Sequence, residues 1–82
     1  METLKEQDFF RSTDIALVST LTCHGYRVET VDRANPTRVI LLIRRDERLD
    51  GLIQQYFSHK LLVDPLAYFH ALKEIKTLIY HA

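Results

Sequence analysis

The run Tyr26-Arg27-Val28-Glu29-Thr30-Val31-Asp32-Arg33-Ala34-Asn35-Pro36-Thr37-Arg38-Val39-Ile40-Leu41-Leu42-Ile43-Arg44 decides the fold. Tyr26 to Arg33 opens with period-2 alternation and β-branched side chains, the pattern of a half-buried strand. Ala34 to Thr37 reads as a turn, because Asn adopts turn geometry readily and Pro cannot donate to a central ladder. Arg38 to Arg44 follows as a second strand. Its centre, Val39 to Ile43, is apolar without alternation, which places it inside a sheet with both faces covered. A two-stranded ribbon is marginal in water, so this hairpin calls for a third strand from this chain or for pairing with a second copy.

Toward the N-terminus, Phe9-Phe10 supplies that strand. Ser12-Thr13-Asp14 then offers hydroxyl and carboxylate groups to the free N–H groups of a helix start. Ile15, Ala16, Leu17, Val18, Leu21 and Cys23 make a short apolar helix, and Gly25 suits the left-handed residue that stops it. With a helical crossover, the Phe9-Phe10 strand runs antiparallel to Arg38–Arg44, and Val39–Ile43 becomes the centre of three strands.

Toward the C-terminus, Asp46 can cap a helix whose apolar stripe is Leu49, Leu52, Ile53, Tyr56 and Phe57. His59 and Lys60 bring positive charge to its end, and Lys60–Val63 is an extended link. Asp64-Pro65 opens the last helix, Asp as the cap and Pro where its missing N–H costs nothing. Tyr68, Ala71, Leu72, Ile75, Leu78 and Ile79 form its core face, with Phe69 at the margin. The expectation is a single small α+β domain over residues 9–80, in the order (β)αββαα with helices on one face of the sheet. Residues 1–8 are expected to fray.

Eleven basic and eleven acidic side chains cancel over 82 residues. Phosphate-gripping proteins usually carry a basic excess or a basic face, so neutrality argues mildly against non-specific nucleic-acid binding and eases association with a copy or partner. Cys23, the one cysteine, has no second thiol with which to form an intramolecular disulfide or the usual zinc site. The charged N-terminal residues do not read as a secretory signal, and the longest apolar run is too short to span a bilayer. A cytoplasmic location without membrane contact is expected.

No enzyme is read from the chain. His24, His59, His70 and His81 are scattered, and His24 beside Cys23 does not make a nucleophile–base pair, because consecutive helical residues point about 100° apart. Asp46, Glu47 and Asp50 cluster where a helix dipole accounts for them. Gly25 and Gly51 are isolated and build no phosphate loop. No catalytic residue, cofactor or metal is expected.

The basic residues carry more information. Arg27, Arg33, Arg38, Arg44, Arg45 and Arg48 lie in or beside the hairpin, interleaved with Glu29, Asp32, Asp46 and Glu47. Cross-strand pairing explains such a set, and a phosphate-contacting face is the rival reading. Most aromatics belong to helix stripes. Phe69, Tyr80 and one of Phe9 and Phe10 are expected at the surface as interface anchors. The candidate binding surface is Arg27, Arg33, Arg38, Arg44, Arg45, Phe69 and Lys76.

Three segments together carry a resemblance: Phe10-Arg11-Ser12-Thr13-Asp14-Ile15-Ala16-Leu17, Asn35-Pro36-Thr37-Arg38-Val39, and Val63-Asp64-Pro65-Leu66-Ala67-Tyr68-Phe69-His70-Ala71-Leu72-Lys73-Glu74-Ile75-Lys76. They resemble a family of small bacterial and bacteriophage proteins classed as a domain of unknown function. The resemblance implies a phage or mobile-element setting and no activity. The function expected is a non-catalytic interaction or adaptor module, with a protein partner or a second copy. The alternative is a small nucleic-acid-binding protein using the hairpin arginines.

Overall fold

The structure is a computed structural model, and it describes residues 8–80. The expected fraying of residues 1–7 lies outside the described residues. Asp8, the last residue of that segment, has its carbonyl bonded to the Arg45 N–H at 2.8 Å, which extends the first strand's pairing by one step. The elements are β1 (Phe9–Ser12), α1 (Ile15–Cys23), β2 (Val28–Asn35), β3 (Arg38–Arg44), α2 (Leu49–Phe57) and α3 (Pro65–Tyr80). The order is the one expected, and the short strand at Phe9-Phe10 is present.

The sheet order is β1-β3-β2, antiparallel on both sides of β3. Leu41, Leu42 and Ile43 are all buried, which is why this strand shows no polar alternation. Register settles the faces. Phe10 and Val28 both lie opposite Ile43, and Val31 lies opposite Leu41. These five residues pack with Leu17, Val18, Leu21, Leu49 and Ile75 of the helices in one core.

The other face is closed by polar groups. Arg11 lies opposite Leu42, and Asp32 on β2 lies opposite Ile40. Their side chains form an ion pair at 2.8 Å that spans the central strand, and Leu42 beneath this face is buried. The aliphatic stem of an arginine covers apolar surface while its head stays wet.

β2 departs from the expected boundaries at both ends. It begins at Val28 rather than Tyr26 because the Tyr26 N–H is committed to the Leu21 carbonyl at 3.1 Å in the stop of α1. It continues past Arg33 to Asn35, with irregularities between Val28 and Thr30 and between Asp32 and Asn35. The turn shrinks to Pro36-Thr37, held by Asn35 Oδ1 accepting from the N–H and hydroxyl of Thr37 at 3.0 and 2.8 Å.

α1 and α3 start on the aspartates expected, whereas the cap position of α2 is Arg48, which makes no side-chain cap bond, and Asp46 instead holds the turn that leads into that helix. Asp14 Oδ1 accepts from Leu17 N–H at 3.1 Å, and Asp64 Oδ2 from Ala67 N–H at 2.8 Å. Asp46 Oδ1 takes the N–H groups of Arg48 and Leu49 at 3.0 and 3.1 Å. Both α1 and α2 end in the same double bond pattern. Tyr26 N–H reaches Leu21 O while Gly25 N–H reaches Thr22 O; Lys60 N–H reaches Gln55 O while His59 N–H reaches Tyr56 O. The motif needs a left-handed residue, supplied by Gly25 at φ +98° and by His59 at φ +61°.

Two members of the expected apolar stripes are not core. Phe57 is exposed, its ring edge-on to Tyr56 with centroids 5.0 Å apart, and Leu78 is exposed as well. Both sit at the margin of their helix's inward arc, where the sheet no longer covers them. α1, by contrast, is enclosed: even Ser19 and Thr20 are buried. Thr20 donates to the Ala16 carbonyl at 2.8 Å, whereas Ser19 Oγ has no hydrogen-bond partner among the described residues.

Candidate functional site

The hairpin arginines do not form one face. Arg33 turns under the sheet to the last turn of α3 and donates to the carbonyls of Leu78 and, at 3.2 Å, Ile79. Those carbonyls have no helical partner among the described residues, so a guanidinium there satisfies them and the negative end of the dipole together. Arg38 stands at the tip of the hairpin, opposite Asn35.

Arg27, Arg44, Arg45 and Arg48 gather at the other end. They line a cleft of about 260 Å³ with Tyr26 and Asp46, between the start of β2, the end of β3 and the entry to α2. Three of the four stack on aromatic rings. The Arg44 guanidinium lies 5.6 Å from the Phe9 ring centroid, Arg45 lies 5.6 Å from Phe10, and Arg48 lies 5.6 Å from Tyr26. This arrangement leaves Phe9 and Phe10 both half-buried, so neither is the exposed aromatic that was expected. Arg45 also pairs with Asp50 at 2.7 Å.

Asp46 organises the floor of the cleft. It accepts the Tyr26 hydroxyl at 2.5 Å in addition to the two helix-start N–H groups. The Tyr26 hydrogen bond, with help from the Arg48 and Leu49 amides, holds its carboxyl below the usual carboxylate range. Burial, then the bond to Asp46, pushes the Tyr26 hydroxyl up. Asp46 therefore stays ionised, with all three of these bonds accepted by Oδ1.

The second candidate surface is the outer face of α3. Leu66, Phe69 and Tyr80 are 62%, 53% and 69% exposed, on the side opposite buried Ala71 and Ile75. Lys73 Nζ sits 5.3 Å from the Phe69 ring centroid, one helical turn away. Of the two residues singled out on this helix, Phe69 and Lys76, the aromatic thus meets Lys73. Leu66 and Lys73 were not singled out. The signal that finds them is the 3–4 spacing of Leu66, Phe69, Lys73, Lys76 and Tyr80, a second stripe running opposite the core stripe.

The remaining titratable groups have quieter settings. Cys23 is half-buried, and burial followed by the nearby Asp64 raises its thiol pKa, the direction opposite to thiolate activation. It shares a groove of about 380 Å³ between α1 and α3 with His70. The His24 ring is bonded to the Leu62 carbonyl at 3.0 Å, fastening the link before α3 to the end of α1. Among the described residues no group of three or more His, Cys, Asp or Glu is placed to hold a metal ion. No helix among them is long and apolar enough to cross a membrane.

The family described as a domain of unknown function (DUF5659) matches residues 7–81. That range includes every element described above, the arginine cleft and the outer face of α3. The chain belongs to the DUF5659 family. The three motif segments lie within the matched range, and their polar members act as supports in this DUF5659 domain: Asp14 and Asp64 cap helices, and Asn35 closes the hairpin turn. No curated protein and no solved structure matches the chain.

Proposed function

We propose that this domain is a non-catalytic interaction module that docks a protein partner on the outer face of α3. The observation that supports it is the second apolar stripe. Leu66, Phe69 and Tyr80 remain exposed on a helix whose other side already fills the core, so packing within the domain does not account for them. Large apolar side chains held on a rigid helix are the usual anchors of a protein interface.

The charge of the stripe indicates the partner's chemistry. Lys73 and Lys76 lie between Phe69 and Tyr80, so an amphipathic segment bearing acidic side chains complements the face. A second copy fits less well. An antiparallel pairing centred on Lys73 would set Leu66 against Tyr80 but would also face Lys73 with Lys73, a like-charge contact. The raised Cys23 pKa supports the non-catalytic part of the reading. Nucleic-acid binding along the hairpin draws less support, because Arg33 is spent on α3 and Arg38 lies far from the other four. The phage or mobile-element setting belongs to this proposal as the context in which a partner is to be sought.

Photo-crosslinking in the native cells tests it. A crosslinking residue at position 69 should give a protein adduct that one at position 38 does not, and Lys73→Glu with Lys76→Glu should abolish it. Equal labelling at both positions, or adducts indifferent to charge reversal, would refute the docking face. An adduct of twice the chain's mass would replace the acidic partner by a second copy.

A further inference from the structure

We propose that the cleft lined by Arg27, Arg44, Arg45 and Arg48 is a binding site for a phosphate group. It is a different surface from the α3 face and stands independently of the function proposed for that face.

The argument begins with which charges are still available. Arg45 is partly neutralised by Asp50, and Asp46 is occupied by three donors, among them the amide of Arg48. Arg27 and Glu29 make no hydrogen bond or ion pair among the described residues. The three donors to Asp46 are neutral, so Asp46 keeps its charge, and the charges left facing the cleft are Arg27, Arg44 and Arg48 against Glu29 and Asp46, a surplus of one. That surplus suits an anionic ligand, and a phosphate in either its monoester or its diester form supplies the charge.

Geometry favours the same ligand. All four cations are arginines, whose planar fork gives paired N–H groups to phosphate oxygens. Contact with the Phe9 and Tyr26 rings positions the Arg44 and Arg48 guanidiniums in advance. Arg48 is further held by a long bond from one Nη to the His24 carbonyl at 3.5 Å, its other N–H groups remaining for a ligand. An order already present in the free protein is order that binding does not have to create. At about 260 Å³ the cleft has room for one phosphate group. Two sources share this chemistry: the terminal phosphate of a small phosphorylated molecule, and a phosphodiester of single-stranded nucleic acid.

Titration of the full chain by calorimetry and by NMR of arginine side-chain N–H groups separates them. The probes are inorganic phosphate, adenosine monophosphate and a short oligothymidylate lacking a terminal phosphate. The expected result is binding that weakens about tenfold in Arg27→Gln and in Arg48→Gln. Glu29→Gln should tighten it, and Arg38→Gln should leave it unchanged. Tighter monophosphate assigns the cleft to a phosphomonoester; tighter oligothymidylate assigns it to a phosphodiester chain. Arg27 and Glu29 are exposed and unbonded within the described residues, so these two variants keep the fold if Arg48→Gln does not. Failure of all three probes to bind overturns the proposal, and so does an Arg38→Gln effect as large as that of Arg27→Gln, which would mean diffuse surface charge.

Discussion

Gly25 and His59 occupy the same place in two copies of one helix-stop motif, and opposite substitutions there should move stability in opposite directions. At Gly25 the backbone has φ +98°, and a Cβ built on it meets nothing within 4 Å. The cost of Gly25→Ala is therefore backbone strain alone. A left-handed L-residue costs about 1–2 kcal/mol, and +98° lies well outside the left-handed well near +57°, so about 1.5 kcal/mol is expected. For a domain of this size that is a fall in Tm of roughly 6–12 °C. At His59, φ +61° falls inside the well, so the strain relieved by His59→Gly is smaller. Part of it is offset by the greater freedom of Gly in the unfolded chain, leaving a gain of about 0.5 kcal/mol. His59→Ala keeps the Cβ and should match the wild type. Urea unfolding followed by circular dichroism at constant m-value measures all three. A Gly25→Ala variant as stable as the wild type, or a His59→Gly variant less stable than it, would refute the reasoning.

Two further outcomes follow from the buried and the ionised groups. Ser19→Ala should stabilise the domain by about 1 kcal/mol, because it removes a hydroxyl that folding strips of water without giving it a partner; thermal melts check this, and a loss would mean that the hydroxyl is bonded. Tyr26→Phe should flatten the pH dependence of stability at both extremes. Asp46 has a depressed folded pKa, so its contribution is present above about pH 4 and is lost as pH falls through the folded value. Tyr26 has a raised one, so its contribution is present below about pH 10 and is lost as pH rises through the folded value. Urea midpoints across pH 2–11 measure both limbs; unchanged limbs in the variant would dismiss the Tyr26–Asp46 bond as their source.

Much of the architecture was legible because the signals were local or nearly so. Asp14 and Asp64 cap helices a few residues away, and the unbroken apolar run in β3 reports burial on both faces wherever its neighbours come from. What escaped reading depends on register. Nothing in the order of residues says that Phe9 will face Arg44, or that Arg11 will reach Asp32 across the central strand; both require the antiparallel alignment of β1 on β3. For the same reason six hairpin arginines read as one basic set, while the bulged course of β2 sends Arg33 to the end of α3. Tyr26 looked like a strand residue because alternation cannot reveal that its N–H is already spent on ending a helix. Phe57 and Leu78 show the corresponding weakness of helical periodicity, which locates a stripe but not its edge.

The four residues of β1 have one neighbour in the sheet, and it is the most buried strand of the molecule. The hairpin of β2 and β3 closes through a two-residue turn, whereas β1 meets β3 only after the 25 residues between Ser12 and Arg38 have been laid down. In folding, β1 is then the late arrival, and in the native sheet it is the shorter of the two edge strands. Its amide hydrogens should exchange with solvent well before those shared by β2 and β3. Each such opening lifts Phe10 from the core and frees the β3 backbone from Leu41 to Arg44. The domain thus carries a vacancy for an incoming strand that exists only intermittently and is sealed by its own first strand the rest of the time.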